Sequence, residues 1–485
     1  MKPVSLQVTR RSERFLSDNH RVIARLFTPD DKGRIKSIIE RVLSLSESEA
    51  AALLEQVYTN FRDRHKDIQA VFARHYNEVR GYVDGRDISE TRQQLLGAYF
   101  TMEYSFESAA LFNPSIVPHP NQDGLPDGAM RFLMSLRATG EGHVSSIVFR
   151  TGVIDRHGIV CFDLLSPYAR TARQVGDQRY DKHTFFLKLI EMGAFTDDAE
   201  KVLERLPDLF NLAALSHTVD EVRKQLNNPA SFQQTAENLL WLARSNYHLE
   251  LPPDCDPSEI VIFPTSENES KGIEDVRLVR FTEDDGTNSY YGTYTAYNGF
   301  RVLPQIIETT DFTTISVHTL NGRYVQNKGM ALFPRRVGKW YMMVSRLDGE
   351  NMYLMRSQNI HFWNDATVLQ APQHPWELVQ IGNCGSPIET DAGWLLLTHG
   401  VGPMRQYCIG VSLLDRDDPS KVISHLPQPL LVPTEQERDG YVPNVVYSCG
   451  AMIHHDMLFI PYAMSDTSTS FATVSVPELL KLLVP

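Results

Sequence analysis

The chain has 485 residues, of which 42% are hydrophobic, 22% charged and 10% aromatic. This is ordinary globular composition and excludes disordered, collagen-like and coiled-coil classes. Lys and Arg number 47 against 60 Asp and Glu, a net charge of -13. Such a chain repels a phosphate backbone or an anionic bilayer, so neither nucleic acid nor membrane is expected as a partner.

A chain of this length exceeds what one hydrophobic core usually serves, so two or three structural units are expected. Cys161, Cys255, Cys384, Cys408 and Cys449 are odd in number and widely spaced, with no CxxC pair. That pattern reads as reduced thiols. The opening MKPVSLQVTRRSERFL has no apolar core for a secretory signal, and no apolar run is long enough to span a bilayer. A cytoplasmic protein is the expectation.

Residues 1–110 read as an α-helical region. Ser46-x-x-Glu49 is a capping box. After it, Leu53, Leu54, Val57, Phe61, Ile68, Val71, Phe72 and Val79 keep helical spacing, and no Pro interrupts residues 31 to 113. Residues 111–165 then change texture. Asn113-Pro114, Pro118, Pro120 and Asp123-Gly124 are turn signals. Arg131–Arg137 and Ser145–Arg150 read as two strands around a Gly-rich turn.

Residues 166–250 return to helix, with Phe185, Phe186, Leu189 and Ile190 in register and Thr218-x-x-Glu221 as a second capping box. The segment ends at Pro252-Pro253. From 251 to 485 the chain reads as strand and turn. Similar units recur at 276–296, 329–357, 394–414 and 442–476. With 131–158 as the first, five units of short antiparallel strands follow at roughly sixty-residue spacing, which suggests a propeller. A β-sandwich gives a similar texture.

The strand-rich part also concentrates reactive side chains. Gly272-Ile-Glu-Asp-Val-Arg277 places two acids and a base before a strand. Lys328 stands at another strand entrance, Arg346 ends an apolar strand, His399 follows Trp394-Leu-Leu-Leu-Thr, and Asp466 follows Pro-Tyr-Ala-Met-Ser. In a propeller such strand ends meet at a central channel. One or two carboxylates among several cations suit acid catalysis on an anion-assisted reaction. Taken singly, each residue fits an ion pair between blades equally well, and His399 alone fits a hydrogen-bonded core histidine. No HExxH, GxGxxG, P-loop or GxSxG occurs, and no His/Cys set stands at metal-ligand spacing. Cys384 and Cys449 read as buried structural thiols and His454-His455 as a surface turn.

The stretches Gly272–Leu278, Lys328–Pro334, Trp394–Val401, Leu414–Ser420 and Gly440–Gly450 together resemble glycoside hydrolase family 130. The resemblance covers about residues 111–165 and 251–485. It implies a mainly β fold, a five-bladed β-propeller, with 1–110 and 166–250 as helical additions found in longer members. It implies a glycosyltransferase-type phosphorylase that splits β-mannosides, β-1,2-linked oligomers above all, by inverting phosphorolysis to α-mannose 1-phosphate. Asp275 then matches the general acid. Arg346, His399, Arg137 and, by position, Lys328 match a phosphate cradle, for which His143 and Arg150 are further candidates. Asn113, Glu274 and Asp466 match mannosyl-binding positions.

The partners implied are a β-mannoside oligosaccharide and inorganic phosphate as co-substrate, with no cofactor and no metal, in a homo-oligomer. An inverting hydrolase needs an acid and a base to deprotonate water. A phosphorylase needs the acid and a cationic seat for an already anionic nucleophile, which one Asp among Arg, Lys and His supplies. A β-mannosidase on the same fold and a non-catalytic glycan-binding propeller are the alternatives. Residues 166–250, entering just before the Asp275 strand, are expected at the channel mouth. Residues 1–110 are expected at a subunit contact.

Overall fold

The computed structural model describes residues 6–175, 179–225, 232–252, 254–299 and 302–483. Pro253 and the first five residues, on which the sequence reading also drew, lie outside these. The fold is mainly β. Five groups of antiparallel strands, called sheets below, follow one another along the chain, the first two joined in one twelve-stranded sheet through the parallel pairing of Gly272 with Ser145. The first is built from Ala110–Pro118, Met130–Thr139, Ser145–Ile154 and Val160–Phe162. The second is Gly272–Thr282, Asn288–Tyr297, Val302–Thr309 and Thr314–Thr319. The third is Lys328–Leu332, Tyr341–Arg346, Met352–Ser357 and Asp365–Gln370.

In the fourth, Gln380–Asn383 and Ile388–Thr390 pair with Gly393–Val401, followed by Tyr407–Leu414 and Val422–His425. In the fifth, Val446–Tyr447 and Met452–His454 pair with Met457–Met464, followed by Ser468–Ser475. Thr9–Arg10 adds the outer strand of this last sheet, so the two ends of the chain share a sheet.

Burial explains the patterning. Strands near the centre are covered on both faces and read as continuous apolar runs: Gly393–Val401 and nearly all of Met457–Met464 are buried. The outlying Thr314–Thr319 is covered on one face and alternates. Successive sheets are also stitched together. Leu278 N donates to Ser115 Oγ (3.0 Å) between the second and first. Thr293 Oγ1 donates to the Met330 carbonyl between second and third. Ile381 N donates to Glu350 O (3.0 Å), Tyr407 N to Asn444 O (3.0 Å), and Cys449 N to Pro114 O (2.8 Å). The last bond returns from the fifth sheet to the first. A cavity of about 400 Å³ is lined by Val117, Leu278, Ile388 and Met452 from four of the sheets and by Arg335 from the turn between the first two strands of the third.

The N-terminal region contains α1 (Lys32–Leu43), α2 (Glu47–Phe61), α3 (Ile68–Val79) and α4 (Glu90–Tyr99). They close over Ile35, Ile39, Leu54, Val79, Leu95 and Phe100. Ser46 caps α2 in the expected box: its hydroxyl accepts from Glu49 N, and its own N–H donates to the Glu49 carboxylate at 2.8 Å. The single apolar stripe over 53–79 is two helices. Asp67, at φ 56°, breaks it, and Phe61 is left exposed.

The insertion holds α5 (Lys182–Glu191), α6 (Asp197–Arg205), α7 (Leu212–Gln225) and α8 (Gln233–Arg244) around a core of its own. Thr218 is not a cap: it lies inside α7, where its hydroxyl donates to Ala214 O at 2.9 Å. The insertion is not at the mouth of the site. Its strand Tyr247–Glu250 pairs with Thr314–Thr319, the strand of the second sheet furthest from Asp275. Lys188 of α5 reaches the Leu320 carbonyl beyond that strand. Sheet-edge hydrogen bonding, which sequence order does not reveal, decides this placement.

Between the N-terminal region and the first sheet, Glu107 is buried against Arg150 (3.1 Å) and Arg21 (3.2 Å), both also buried. Glu107→Ala leaves two guanidinium groups in a dry interior. Removing one partner of such a set costs about 3–5 kcal/mol. Urea unfolding should show a loss of that size, and a loss below about 1 kcal/mol would contradict the packing described.

Candidate active site

The inner strands of the first three sheets carry bulges near the same end, and bulges re-aim side chains. In the first sheet the register shifts between Phe112 and Ser115, in the second between Glu274 and Arg277, in the third between Lys328 and Ala331. Asn113 and Asp275 sit at these shifts with φ of 48° and 55°, and Asp466 of the fifth sheet has φ 52°. Left-handed backbone is strained for most residues. Asn and Asp tolerate it best, and strain of this kind clusters at functional sites. Asp275 is thus inside its strand, not before it.

The bulges of three sheets bring their side chains to one point, where Tyr447 of the fifth joins them. Asn113 Nδ2 donates to Asp275 Oδ1 (2.7 Å), and Arg137 Nη1 lies 3.3 Å from the same oxygen. Arg137 Nη2 donates to Glu274 Oε1 (2.8 Å) and its Nε to Ser145 Oγ (2.9 Å). Lys328 Nζ donates to Glu274 Oε2 (2.6 Å). Arg277 is fully buried and donates to the Asp275 carbonyl (2.8 Å) and to Tyr447 OH of the fifth sheet (2.6 Å).

On the far side of Tyr447 lies His399, edge to face at 5.1 Å, whose other face stacks on Tyr407 at 5.8 Å. Arg346 Nη1 stands 3.3 Å from His399 Nε2. Gly329, at φ 86°, and Gly382 press on Arg346 from both sides. A Cβ at Gly382 would come within 2.4 Å of both Arg346 Cδ and His399 Cε1.

The charges follow from this geometry. Burial alone would raise the Asp275 carboxyl. Arg137, Arg277, the Asn113 hydrogen bond and Lys328 outweigh it and hold the group below the usual aspartate range. Burial would weaken Arg137 as a cation, but Asp275, Glu274 and Asp466 more than compensate. His399 is pushed well below the usual histidine range, by burial first and then by Arg346 and Arg277, so it is neutral. With Nδ1–H on the Asn383 carbonyl (3.2 Å), its Nε2 is left as an acceptor for Arg346. Asp466 goes the other way. Burial and the neighbouring Asp275 push it up to about 6.

Of the residues singled out from sequence, Asn113, Arg137, Glu274, Asp275 and Lys328 form one bonded cluster. Arg346 and His399 form a second, joined to it through Tyr447 and Arg277. Asp466 adjoins the first. Two candidates stand outside both clusters. Arg150 is consumed by Glu107, because its strand turns it toward the N-terminal region. His143 is exposed on the turn after Arg137's strand, where it stacks on Tyr441 at 5.8 Å.

Sequence reading missed Arg277, Tyr447, Ser145 and Gln380 as site residues. The first two stand inside quoted motifs. Gln380, 3.2 Å from His399, carries no sequence signal. Cys384 is buried beneath the site with its thiol pushed up to about 12, so it is not a nucleophile.

Folding also assembles two donor sets that sequence spacing did not show. Glu308, His318 and His361 lie within 4.8 Å of one another, as do donors of His374, Glu377 and His425. Ser412 Oγ lies 2.9 Å from His425 Nδ1, and His425 Nε2 is 3.0 Å from Glu377. Ser412 and Glu377 are fully buried, so this triad is internal packing without access for a substrate.

The family model described as glycoside hydrolase 130, β-1,4-mannooligosaccharide phosphorylase, matches residues 255–484. A 1,2-β-oligomannan phosphorylase of Thermoanaerobacter sp. (strain X514) is 32% identical over 218 residues, 44% of this chain and 72% of its own. The chain belongs to glycoside hydrolase family 130. A β-1,2-mannobiose phosphorylase of the same organism is 33% identical over 42% of this chain and 68% of its own. The solved β-1,2-mannobiose phosphorylase of Listeria innocua, in complex with β-1,2-mannobiose, matches 77% of this chain and 92% of its own at 19% identity and a TM-score of 0.44. Among the described residues no helix is long and apolar enough to cross a membrane.

Asp466 yields a prediction with a definite sign. Its folded pKa of about 6 lies above the ordinary 3.8, so the folded state binds the extra proton. Stability contributed by that proton is present below pH 4 and is lost as pH rises through 6. Asp466→Asn should therefore stabilise the protein at pH 7.5, by about 1–2 kcal/mol after solvent screening. The gain should fade toward pH 4. Thermal unfolding across pH measures this, and a variant less stable than wild type at pH 7.5 would contradict it.

Proposed function

We propose that this chain is an inverting β-mannoside phosphorylase acting on β-1,2-linked manno-oligosaccharides. The observation that carries the reading is the composition of the cluster. Arg346 stands as a cation for an anionic nucleophile, Glu274 beside Asp275 is already tied to Arg137 and Lys328, and Asp466, the third carboxyl, is pushed up to about 6 and serves the mannosyl unit. A hydrolase needs a free base for water; a phosphorylase needs a cationic seat. The five sheets form a five-bladed propeller: the cyclic hydrogen bonds and the cavity shared by all five support that reading. The family description names a β-1,4 linkage and the relatives β-1,2. Two individual relatives at 32–33% identity support the β-1,2 reading.

In this mechanism the mannosyl unit lies over Asn113 and Asp466, with Asp275 on the leaving-group side. Phosphate sits at Arg346, on the opposite face. His399 accepts from Arg346 and so fixes the guanidinium plane, a positioning role that differs from direct phosphate contact. The free site holds Asp275 ionised, yet an acid must carry a proton. Bound phosphate neutralises the neighbouring cations and raises the proton affinity of Asp275, so the acid is loaded when the nucleophile is in place. No cofactor is needed. Free cysteines and the net negative charge support a cytoplasmic setting, and residues 1–110 supply a contact between copies.

The test is synthesis in reverse. With α-mannose 1-phosphate and a panel of acceptor sugars, the product linkage read by NMR should be β-1,2; a β-1,4 product would overturn the linkage. Asp275→Asn should lower turnover by ~10²–10⁴-fold, the usual worth of a general acid. Near-normal turnover would remove Asp275 from that role. Arg346→Ala should raise the phosphate KM by about 10–100-fold, the value of one or two charge-assisted hydrogen bonds, with little change in mannoside KM.

A further inference from the structure

Two turns on different sheets share one unusual backbone. Gly140–Val144 follows the second strand of the first sheet, and Gly402–Gln406 follows the long strand of the fourth. Each opens on a glycine at φ near -110° with ψ near -155° to -160°. Each carries a left-handed pair, Gly142 (67°) and His143 (59°) in one, Met404 (58°) and Arg405 (54°) in the other. Each is closed by a backbone bond from its opening glycine, Gly140 N to Val144 O (3.2 Å) and Gly402 N to Gln406 O (2.9 Å). The result is a basic residue in the same place on each rim, and neither is used by the cluster around Asp275.

The loop of the fifth sheet that bears Tyr441 packs against the first turn and against Tyr407, just past the second. His143 stacks on Tyr441 with ring planes 27° apart. Tyr441 N donates to Thr467 Oγ1 (3.1 Å), next to Asp466, and Arg405 lies close enough to Asp466 to influence its charge. The loop is anchored at its other end, where Asn444 accepts from Tyr407 N and Tyr407 stacks on His399. The first turn is braced from below: Tyr104 OH donates to Glu141 O at 2.6 Å. Tyr441 nevertheless leaves 75% of its surface in solvent, and Met404 leaves 89%. A rigid, braced loop that holds an aromatic ring in water, beside the mannosyl carboxylate, is built to receive a ring from outside.

We infer that Tyr441, stacked on His143, is the platform for the acceptor-side sugar beyond the mannosyl unit, with Arg405 near Asp466 completing it. The apolar face of a pyranose covers the Tyr441 ring, and Arg405 donates to its hydroxyls. The platform selects chain length. The assignment rests on the mannoside reading above.

The test is calorimetric binding in phosphate-free buffer, so that turnover is not needed. The probes are β-1,2-mannotriose and, separately, inorganic phosphate. Tyr441→Ala should weaken mannotriose by about 3–10-fold, the worth of one aromatic contact. Tyr441→Phe should restore it, and phosphate affinity should not move. Arg405→Ala should weaken mannotriose in the same direction. Unchanged mannotriose affinity in Tyr441→Ala, or an equal loss for phosphate, overturns the platform while leaving the mannoside reading standing. Wild-type protein that binds phosphate but no manno-oligosaccharide overturns both.

Discussion

The rest of the site depends on how Asp275 is held ionised away from water. Its carboxylate accepts from Asn113 and Arg137, and its own carbonyl accepts from Arg277, which is wedged against Tyr447. Desolvating an isolated carboxylate is expensive, so the fold must bring charge from several sheets to meet it. Asn113 and Arg137 come from the first sheet, Arg277 from the second, Lys328 from the third and Tyr447 from the fifth. Pulling one strand out of place would leave buried charge without its partner. The stability of the assembly and the electrostatics of the site are therefore one problem.

The same constraint explains the backbone. A carboxylate in regular strand geometry would point to one face of its sheet. Turning it into the meeting point takes a bulge and a left-handed residue, and Asp and Asn are the side chains that accept that conformation while offering polar atoms. Asn113, Asp275 and Asp466 each meet both demands. At Arg346 the device is different. Gly329 and Gly382 clear the space that the guanidinium stem occupies, so these glycines are there for close approach.

Much of this was legible in the sequence. Continuous apolar runs and turn signals placed the strand units, and Ser46-x-x-Glu49 marked a helix start. Motif resemblance picked out the two halves of the site. What was not legible depends on tertiary pairing. Thr218 satisfies the capping pattern but lies inside a helix, because Leu212 onward already extends the turn upstream. Arg150 looks like a spare cation until Glu107, 43 residues earlier, is seen to take it. The insertion enters the chain just before Asp275 yet leaves by the outer edge of the sheet. Gln380 carries no pattern, since its role exists only once Arg346 and His399 flank it.

The central claim is that this cluster hands a mannosyl group to phosphate and not to water. Incubating the purified protein with β-1,2-mannobiose, with and without inorganic phosphate, and following the anomeric protons by NMR tests it directly. α-Mannose 1-phosphate and one equivalent of mannose should form, and only when phosphate is present. Two equivalents of free mannose, released at the same rate without phosphate, would contradict it.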